Sequence, residues 1–348
     1  MRNKVIPHGG RVLIIKLSSL GDLFHVLPVV HLLKTEFDAT IDWATQPEYI
    51  ELVRCFPQVS RVIGFPRHRF AAGFFSFQRV LREVGYDAVI DLQGLFKSGF
   101  VGRLARSSRR IGPSYHREGA GIFYTDVVGR NDPNRHAVIK ALDISTWLGL
   151  KNTAPAFVTS FPDVSLKMSG LRIALVPCSR WKTKNWAPQS FGKVGMALQN
   201  RLSAAIYIVG GPDDQYVCAG VAAMIPDSVD LSGRCSLPQT GGILQQMDLV
   251  ISVDSGPMHM AAAVDTPVIA IFGSTDPLRT GPFGSGHHVI QTQGLSCCPC
   301  RSRTCARSDL ACLSRVGVDD VVQKAVSILT PYGSAQVSQG VKKTNGSK

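Results

Sequence analysis

The stretch DLVISVDSGPMHMAAAVDTPVIAIFGSTDP, Asp248 to Pro277, decides the fold. It holds two apolar runs of strand length, DLVISVD and PVIAIFG, separated by the small-residue segment GPMHMAAA, which predicts a helix. Strand, helix and strand in close succession form the repeating unit of a parallel sheet covered on both faces. The first run stops at Asp254, Ser255 and Gly256, the second at Gly273 to Pro277. Small polar residues therefore gather at the carboxyl ends of the strands, where open α/β sheets bind ligands. Unpaired amides at the start of the helix and the helix dipole each favour a diphosphate by on the order of 1 kcal/mol. Ser255 and Gly256 belong to that helix start, and Thr275 and Asp276 lie in the neighbouring loop. His259 is either a donor contact or a histidine packed near the core.

Moving outward, LRIALVP from Leu171 and AAIYIVGG from Ala204 extend the same series of buried strands. An earlier series begins with RVLIIKL at Arg11 to Leu17, then ATIDWAT at Ala39 to Thr45, Val62 to Phe65 and Ala88 to Leu92. Helical patterns separate them, the first running through HVLPVVHLLKTEF. The expected fold is α/β, with two doubly wound Rossmann-like domains facing across a cleft. Pro155 to Gly170 has two prolines and no helical period, so the domains are placed at 1–160 and 161–332. The remainder, 333–348, lacks apolar periodicity and is expected to be an unstructured tail.

A chain of 348 residues with 45% hydrophobic and 18% charged residues can build two cores, which excludes a disordered protein. No run approaches the ~18 apolar residues of a membrane span, and the N-terminal run VLII is too short for a secretory signal. A cytoplasmic location with reduced thiols is the expectation. The net charge of +13 calls for an anionic partner. Between Arg61 and Arg117 lie eleven cations, among them Arg61, Arg67, Arg69, Lys97 and Arg103, against three acids. They form either a solvated basic face or a binding surface. Nucleic acid is disfavoured because no binding signature accompanies them.

Three further strand ends carry chemistry. In KLSSLGD, Asp22 stands where a helix starts, and is either a general base or a helix cap. In VPCSRWKTKNWAP, Ser179, Arg180 and Lys184 follow a strand directly, as a phosphate-holding loop or as a basic surface loop anchored by its tryptophans. In VGGPDDQ, Asp214 can accept from ribose hydroxyls or cap the next helix.

Four blocks in order, SSLGDLFHVLP (18–28), SRWKTKNW (179–186), SVDSGPMHMAAA (252–263) and FGSTDP (272–277), resemble the signatures of glycosyltransferase family 9, the heptosyltransferases. The resemblance spans most of the chain. It implies a GT-B architecture and inverting, metal-independent transfer of L-glycero-D-manno-heptose from ADP-heptose to the Kdo-lipid A inner core of lipopolysaccharide, with no cofactor. By position in the shared blocks, Asp22 matches the catalytic base, Lys184 the lysine at the donor diphosphate and Asp254 the acid that binds the donor sugar. Asp214 stands where the family commonly has Glu, a shorter side chain at that contact. The basic stretch would then meet anionic lipid A at the inner membrane surface, with Arg61, Arg67, Arg69, Lys97 and Arg103 as acceptor contacts. No D-x-D run occurs, in keeping with metal independence. Addition of the second heptose, a different acceptor, or nucleotide binding without catalysis are the alternatives.

Cys297, Cys300, Cys305 and Cys312 have the spacing C-x2-C-x4-C-x6-C, which suits either a zinc or iron-sulfur site or a loop of reduced thiols.

Overall fold

The computed structural model describes residues 6–67, 70–150, 154–166 and 169–339, with 70–72 and 331–339 described by backbone alone. Its strands are β1 (Arg11–Ile15), β2 (Thr40–Thr45), β3 (Val59–Gly64), β4 (Ala88–Asp91), β5 (Arg110–Pro113) and β6 (Asp126–Val128), then β7 (Arg172–Val176), β8 (Ala205–Ile208), β9 (Val229–Asp230), β10 (Leu249–Val253), β11 (Val268–Phe272) and β12 (His288–Gln291). The first six form one sheet in the order β3-β2-β1-β4-β5-β6 and the last six another in the order β12-β11-β10-β7-β8-β9. All recorded pairings between neighbouring strands are parallel. Counted from its own first strand, each sheet has the order 3-2-1-4-5-6 of the doubly wound dinucleotide fold.

The apolar runs become strands because helices cover both faces, so successive side chains are buried whichever way they point. Val12 to Ile15, Ile173 to Leu175 and Leu249 to Ile251 are fully buried. Leu13, Ile15, Phe77, Val89 and Val101 belong to one core, and Ile173, Ile206, Phe191, Ile251 and Ile269 to another. Each such side chain removed from water stabilises its unit by about 1.5–3 kcal/mol.

The chain divides into two compact units, Met1–Pro162 with Leu278–Thr280, and Asp163–Pro277 with Gly281–Lys348. The division falls inside Pro155 to Gly170. Strands β5, β6, β9 and β12 have no counterpart in the sequence expectation: they are two to four residues long, and too few apolar residues mark them. The first helical pattern, His25 to Phe37, forms helix Leu27–Phe37, and a short helix, Leu20–His25, precedes it. Pro28 in the first turn of the longer helix has no N–H to continue the shorter one. The last helix, Val318–Gln339, runs past 332, where the sequence predicts order to end; the tail from 340 onward lies outside the described residues. Among the described residues no helix is long and apolar enough to cross a membrane.

Candidate active site

In the first unit the strand order reverses between β1 and β4, so their carboxyl ends frame a crevice. The chain leaving β1 enters the short helix Leu20–His25, which puts Asp22 in its first turn. Asp22 Oδ2 accepts from the Ser19 amide at 2.9 Å and the Ser19 hydroxyl at 2.8 Å. The structural and chemical roles weighed for Asp22 are thus compatible: one oxygen braces the helix start while 39% of the side chain stays accessible. The other oxygen, Oδ1, lies 3.5 Å from His25 Nδ1. Crowding by the protein raises the carboxyl's pKa, but the Lys16 charge, His25 and the Ser19 amide outweigh it and hold Asp22 well below the usual carboxylate range.

Residues that the motifs did not flag build the rest of this crevice. Lys16, one residue beyond β1, is buried and donates to the Leu92 carbonyl at 3.0 Å, bringing its charge between β1 and β4. Gln93 Oε1 accepts from the amides of Leu17 and Ser18, both at 3.1 Å, tying the two loops together. Asp91 ends β4 and accepts from the amides of Gln93 (2.8 Å) and Gly94 (3.1 Å) and from the Tyr124 hydroxyl (2.7 Å). A Cβ at Gly112 would overlap the Tyr124 ring, so glycine there is what lets the tyrosine lie over β5. Burial dominates at Asp91 and raises its pKa despite these donors. It raises those of Tyr115 and Tyr124 too, reinforced by the Asp91 charge. His136 meets His25 edge-on at 5.7 Å, and its Nδ1 accepts from the Val138 amide at the start of helix Ala137–Trp147. His25 stands in the SSLGDLFHVLP block without a role assigned to it, the only signal for Lys16 was its nearness to Asp22, and for Gln93 and Tyr124 there was none.

The expected acceptor cations do not gather in one place. Arg61 lies in the first half of β3, in register with Asp42, and is held by Glu83 at 2.7 Å and the Val80 carbonyl at 3.2 Å. Arg103 occupies the last turn of helix Phe96–Leu104, which runs back from the carboxyl end of β4, so it is carried away from the crevice. Lys97, in the first turn of that helix, and Arg67, just after β3, stay on the carboxyl side. Arg67 lies 3.7 Å from Glu48 and 3.4 Å from Gln46 Oε1. Arg69 is outside the described residues.

In the second unit the order reverses between β7 and β10, and three of the sequence blocks meet there. The loop after β7 is pinned by Asn185, whose Oδ1 accepts from the Ser179 amide (2.8 Å) and hydroxyl (2.9 Å) and whose Nδ2 donates to the Ser179 carbonyl (3.2 Å). That closure aims Lys184 inward. Its Nζ lies 2.9 Å from Asp254 Oδ2 and 4.8 Å from the centre of the Trp181 ring. Thr275 donates to the same Asp254 oxygen at 2.6 Å. Asp254, Ser255, His259 and Thr275 are buried, and Ser255 shares a hydrogen bond with Ser252 at 3.0 Å. Gly256 opens helix Gly256–Ala263, with a proline in its first turn. Ser274 bonds Thr183 Oγ1 at 3.0 Å, fixing the FGSTDP loop against the Lys184 loop. Asp276 is held by Arg301 at 3.2 Å. Arg180 is exposed in the loop after β7, apart from the Lys184 and Asp254 contact. Asp214, after β8, accepts from the Gly211 amide at 2.8 Å in the turn Pro212–Asp214, and at the start of helix Gln215–Ala222 its side chain makes no capping hydrogen bond.

The profile of glycosyltransferase family 9 (heptosyltransferase) matches residues 74–311. The chain belongs to glycosyltransferase family 9. This family 9 enzyme is 28% identical over 309 residues to lipopolysaccharide heptosyltransferase 1 of Salmonella typhimurium, covering 83% of this chain and 94% of the relative. To lipopolysaccharide heptosyltransferase 3 of Escherichia coli it is 27% identical over 288 residues, covering 76% and 84%. The solved structure of E. coli heptosyltransferase WaaC with ADP superposes with a TM-score of 0.76 at 25% identity, covering 91% of this chain and 99% of that one. The family 9 enzyme therefore has the GT-B fold of two Rossmann-like domains and is a glycosyltransferase.

Among the described residues no group of three or more His, Cys, Asp or Glu side chains is placed to hold a metal ion. Cys297, Cys300, Cys305 and Cys312 are free thiols, and crowding pushes the Cys312 thiol up to about 11.

Proposed function

We propose that this enzyme transfers L-glycero-D-manno-heptose from ADP-heptose to the Kdo-lipid A inner core, with inversion and without metal, working on the cytoplasmic side at the inner membrane surface. The observation that carries the reading is Asp22, a partly accessible carboxylate held ionised at the carboxyl end of β1. In an inverting step one acceptor hydroxyl attacks the anomeric carbon, the bond to the diphosphate breaks on the opposite face, and the hydroxyl proton passes to Asp22. The charge that collects on the diphosphate needs fixed donors; Lys184 and the helix-start amides near Ser255 and Gly256 supply them without a cation. Asp254 and Thr275 would orient the sugar, and Asp214 the nucleotide, with Ser179, Arg180, His259 and Asp276 lining the donor. Arg67 and Lys97 are the acceptor contacts that the fold favours. Asp91 is occupied by the Gln93 and Gly94 amides and the Tyr124 hydroxyl, which leaves Asp22 as the carboxyl of the crevice that can take the proton.

The relatives named heptosyltransferase 1 and 3 stand at 28% and 27% identity, so an acceptor already bearing heptose is the second reading. A transfer assay with ADP-heptose against Kdo-lipid A carrying no heptose, or one, separates them. Product only from the heptose-free acceptor supports the first reading; product only from the other replaces it. Product from neither acceptor, with intact ADP binding, would leave a nucleotide-binding protein without transfer.

A further inference from the structure

One face of the first unit has no part in the chemistry above. Helix Phe70–Arg82 presents Phe75, and helix Phe96–Leu104 presents Phe96, with 77% and 47% of their surface exposed. The one-turn segment Ala120–Phe123 adds Ile122, also 77% exposed. Ring contacts join Phe75 to Phe96, and Ile122 is the chain neighbour of Phe123 in that series. Phe75 meets Phe74 at 5.5 Å, Phe74 stacks on Phe100 at 6.3 Å, Phe100 meets Phe123 at 6.2 Å, and Phe123 meets Phe96 at 5.0 Å. Gly99 lets Phe123 lie directly on the second helix: a Cβ there would sit 2.7 Å from the ring. Soluble proteins rarely leave apolar surface of this kind contiguous unless something covers it.

The charge around the patch says what that is. Arg79 and Arg82 follow Phe75 at four and seven residues, and Arg103 follows Phe96 at seven, so each helix carries aromatic and guanidinium groups along one exposed stripe. Among the described residues none of these three arginines pairs with an acidic side chain. Of the acids nearby, Glu83 is taken by Arg61 at 2.7 Å and Glu118 accepts from the Phe96 amide at 3.3 Å. A second copy docked by twofold symmetry would set this basic rim against itself. An anionic bilayer satisfies both parts, with aromatic and aliphatic side chains in the interfacial layer and guanidinium groups at the phosphates.

We propose that Phe75, Phe96 and Ile122, rimmed by Arg79, Arg82 and Arg103, form the surface by which this enzyme docks on an anionic membrane. The purpose of such docking rests on the lipid-linked acceptor proposed above, but its test does not. The full chain, with no sugar nucleotide and no acceptor, is sedimented with phosphatidylcholine vesicles and with vesicles that also contain phosphatidylglycerol. Binding to the mixed vesicles is expected, weakened by on the order of tenfold or more in the double variant Phe75→Ser with Ile122→Ser. Arg79→Glu with Arg82→Glu should lose binding to the mixed vesicles by a similar factor. A Phe75→Trp variant should show a blue shift of its added emission when those vesicles are present. Transfer to a water-soluble acceptor fragment should be unchanged in the double serine variant, which separates this surface from the catalytic reading. The proposal is overturned if the mixed vesicles are not bound, if the serine variant binds them as before, or if that variant turns a dimer into a monomer in sedimentation. Binding only to vesicles that contain the acceptor lipid would also overturn it, since that assigns the patch to acyl chains of the substrate.

Discussion

Lys184 Nζ and Asp254 Oδ2 lie 2.9 Å apart at the carboxyl ends of β7 and β10, and the Thr275 hydroxyl closes on the same oxygen at 2.6 Å. Residues 70 positions apart in sequence thus form one mostly buried ion pair, with 19% and 5% of the side chains accessible. Lys184→Met leaves the buried Asp254 carboxyl without its cation, and breaking such a pair costs about 3 kcal/mol or more. Asp254→Asn removes the charge and should cost less. Urea unfolding of the two variants ranks them, and the opposite ranking would remove the pair from the account of the site. Calorimetric titration with ADP should show weakened binding for Lys184→Met.

Asp22→Asn keeps the size of the side chain but cannot take a proton. Turnover should fall by about 10²–10⁴-fold, the usual contribution of a positioned base, with ADP affinity unchanged. Equal loss of both would show a structural role at the helix start instead.

The pH dependence follows from Lys16. With Asp22 held below the ordinary carboxylate range, the base is ionised throughout the neutral range, so kcat/KM should show no acid limb from this group near its ordinary pKa of about 3.9. Its stabilising contribution is likewise present above that pH and is lost only as pH falls through the depressed value. Lys16→Met removes the main opposing charge, so the acid limb of the rate profile should move to higher pH. A profile that does not move would place the Lys16 charge elsewhere.

Tyr124→Phe removes a 2.7 Å hydrogen bond from Asp91, whose pKa burial already raises. The expected cost is about 1 kcal/mol at neutral pH. A raised carboxyl favours the folded chain while protonated, and that advantage disappears as pH rises through its folded pKa. Losing the tyrosine raises that pKa further, so the cost should shrink towards about pH 4. Unfolding measured at both pH values reads this directly.

Prolonged dialysis against EDTA should leave transfer unchanged, and elemental analysis of the purified protein should find neither zinc nor iron in stoichiometric amount. Loss of activity restored by one metal would return Cys297, Cys300, Cys305 and Cys312 to consideration.

The central strands were legible in sequence because they are buried on both faces and read as unbroken apolar runs, as in Leu249–Val253 and Val268–Phe272. Short strands such as Val229–Asp230 carry too few apolar residues to show. The blocks around Asp22, Lys184 and Asp254 were legible because small, acidic and basic residues interrupt apolar runs there. Arg61 and Arg103 show the limit of that reading. Net charge along a stretch does not tell which cations a helix carries back from the carboxyl edge, or which are already neutralised, as Arg61 is by Glu83.

Local order along the chain was enough to determine the alternation of strand and helix, the parallel sheets and the loops that hold the polar residues, since burial and backbone geometry act over a few neighbours. Tertiary structure alone decided that Lys184 meets Asp254, that Lys16 bonds the Leu92 carbonyl, and that three half-buried rings join the exposed Phe75 and Phe96. Those relationships depend on distances between segments far apart in sequence, and the strand order, which no local pattern encodes, sets those distances.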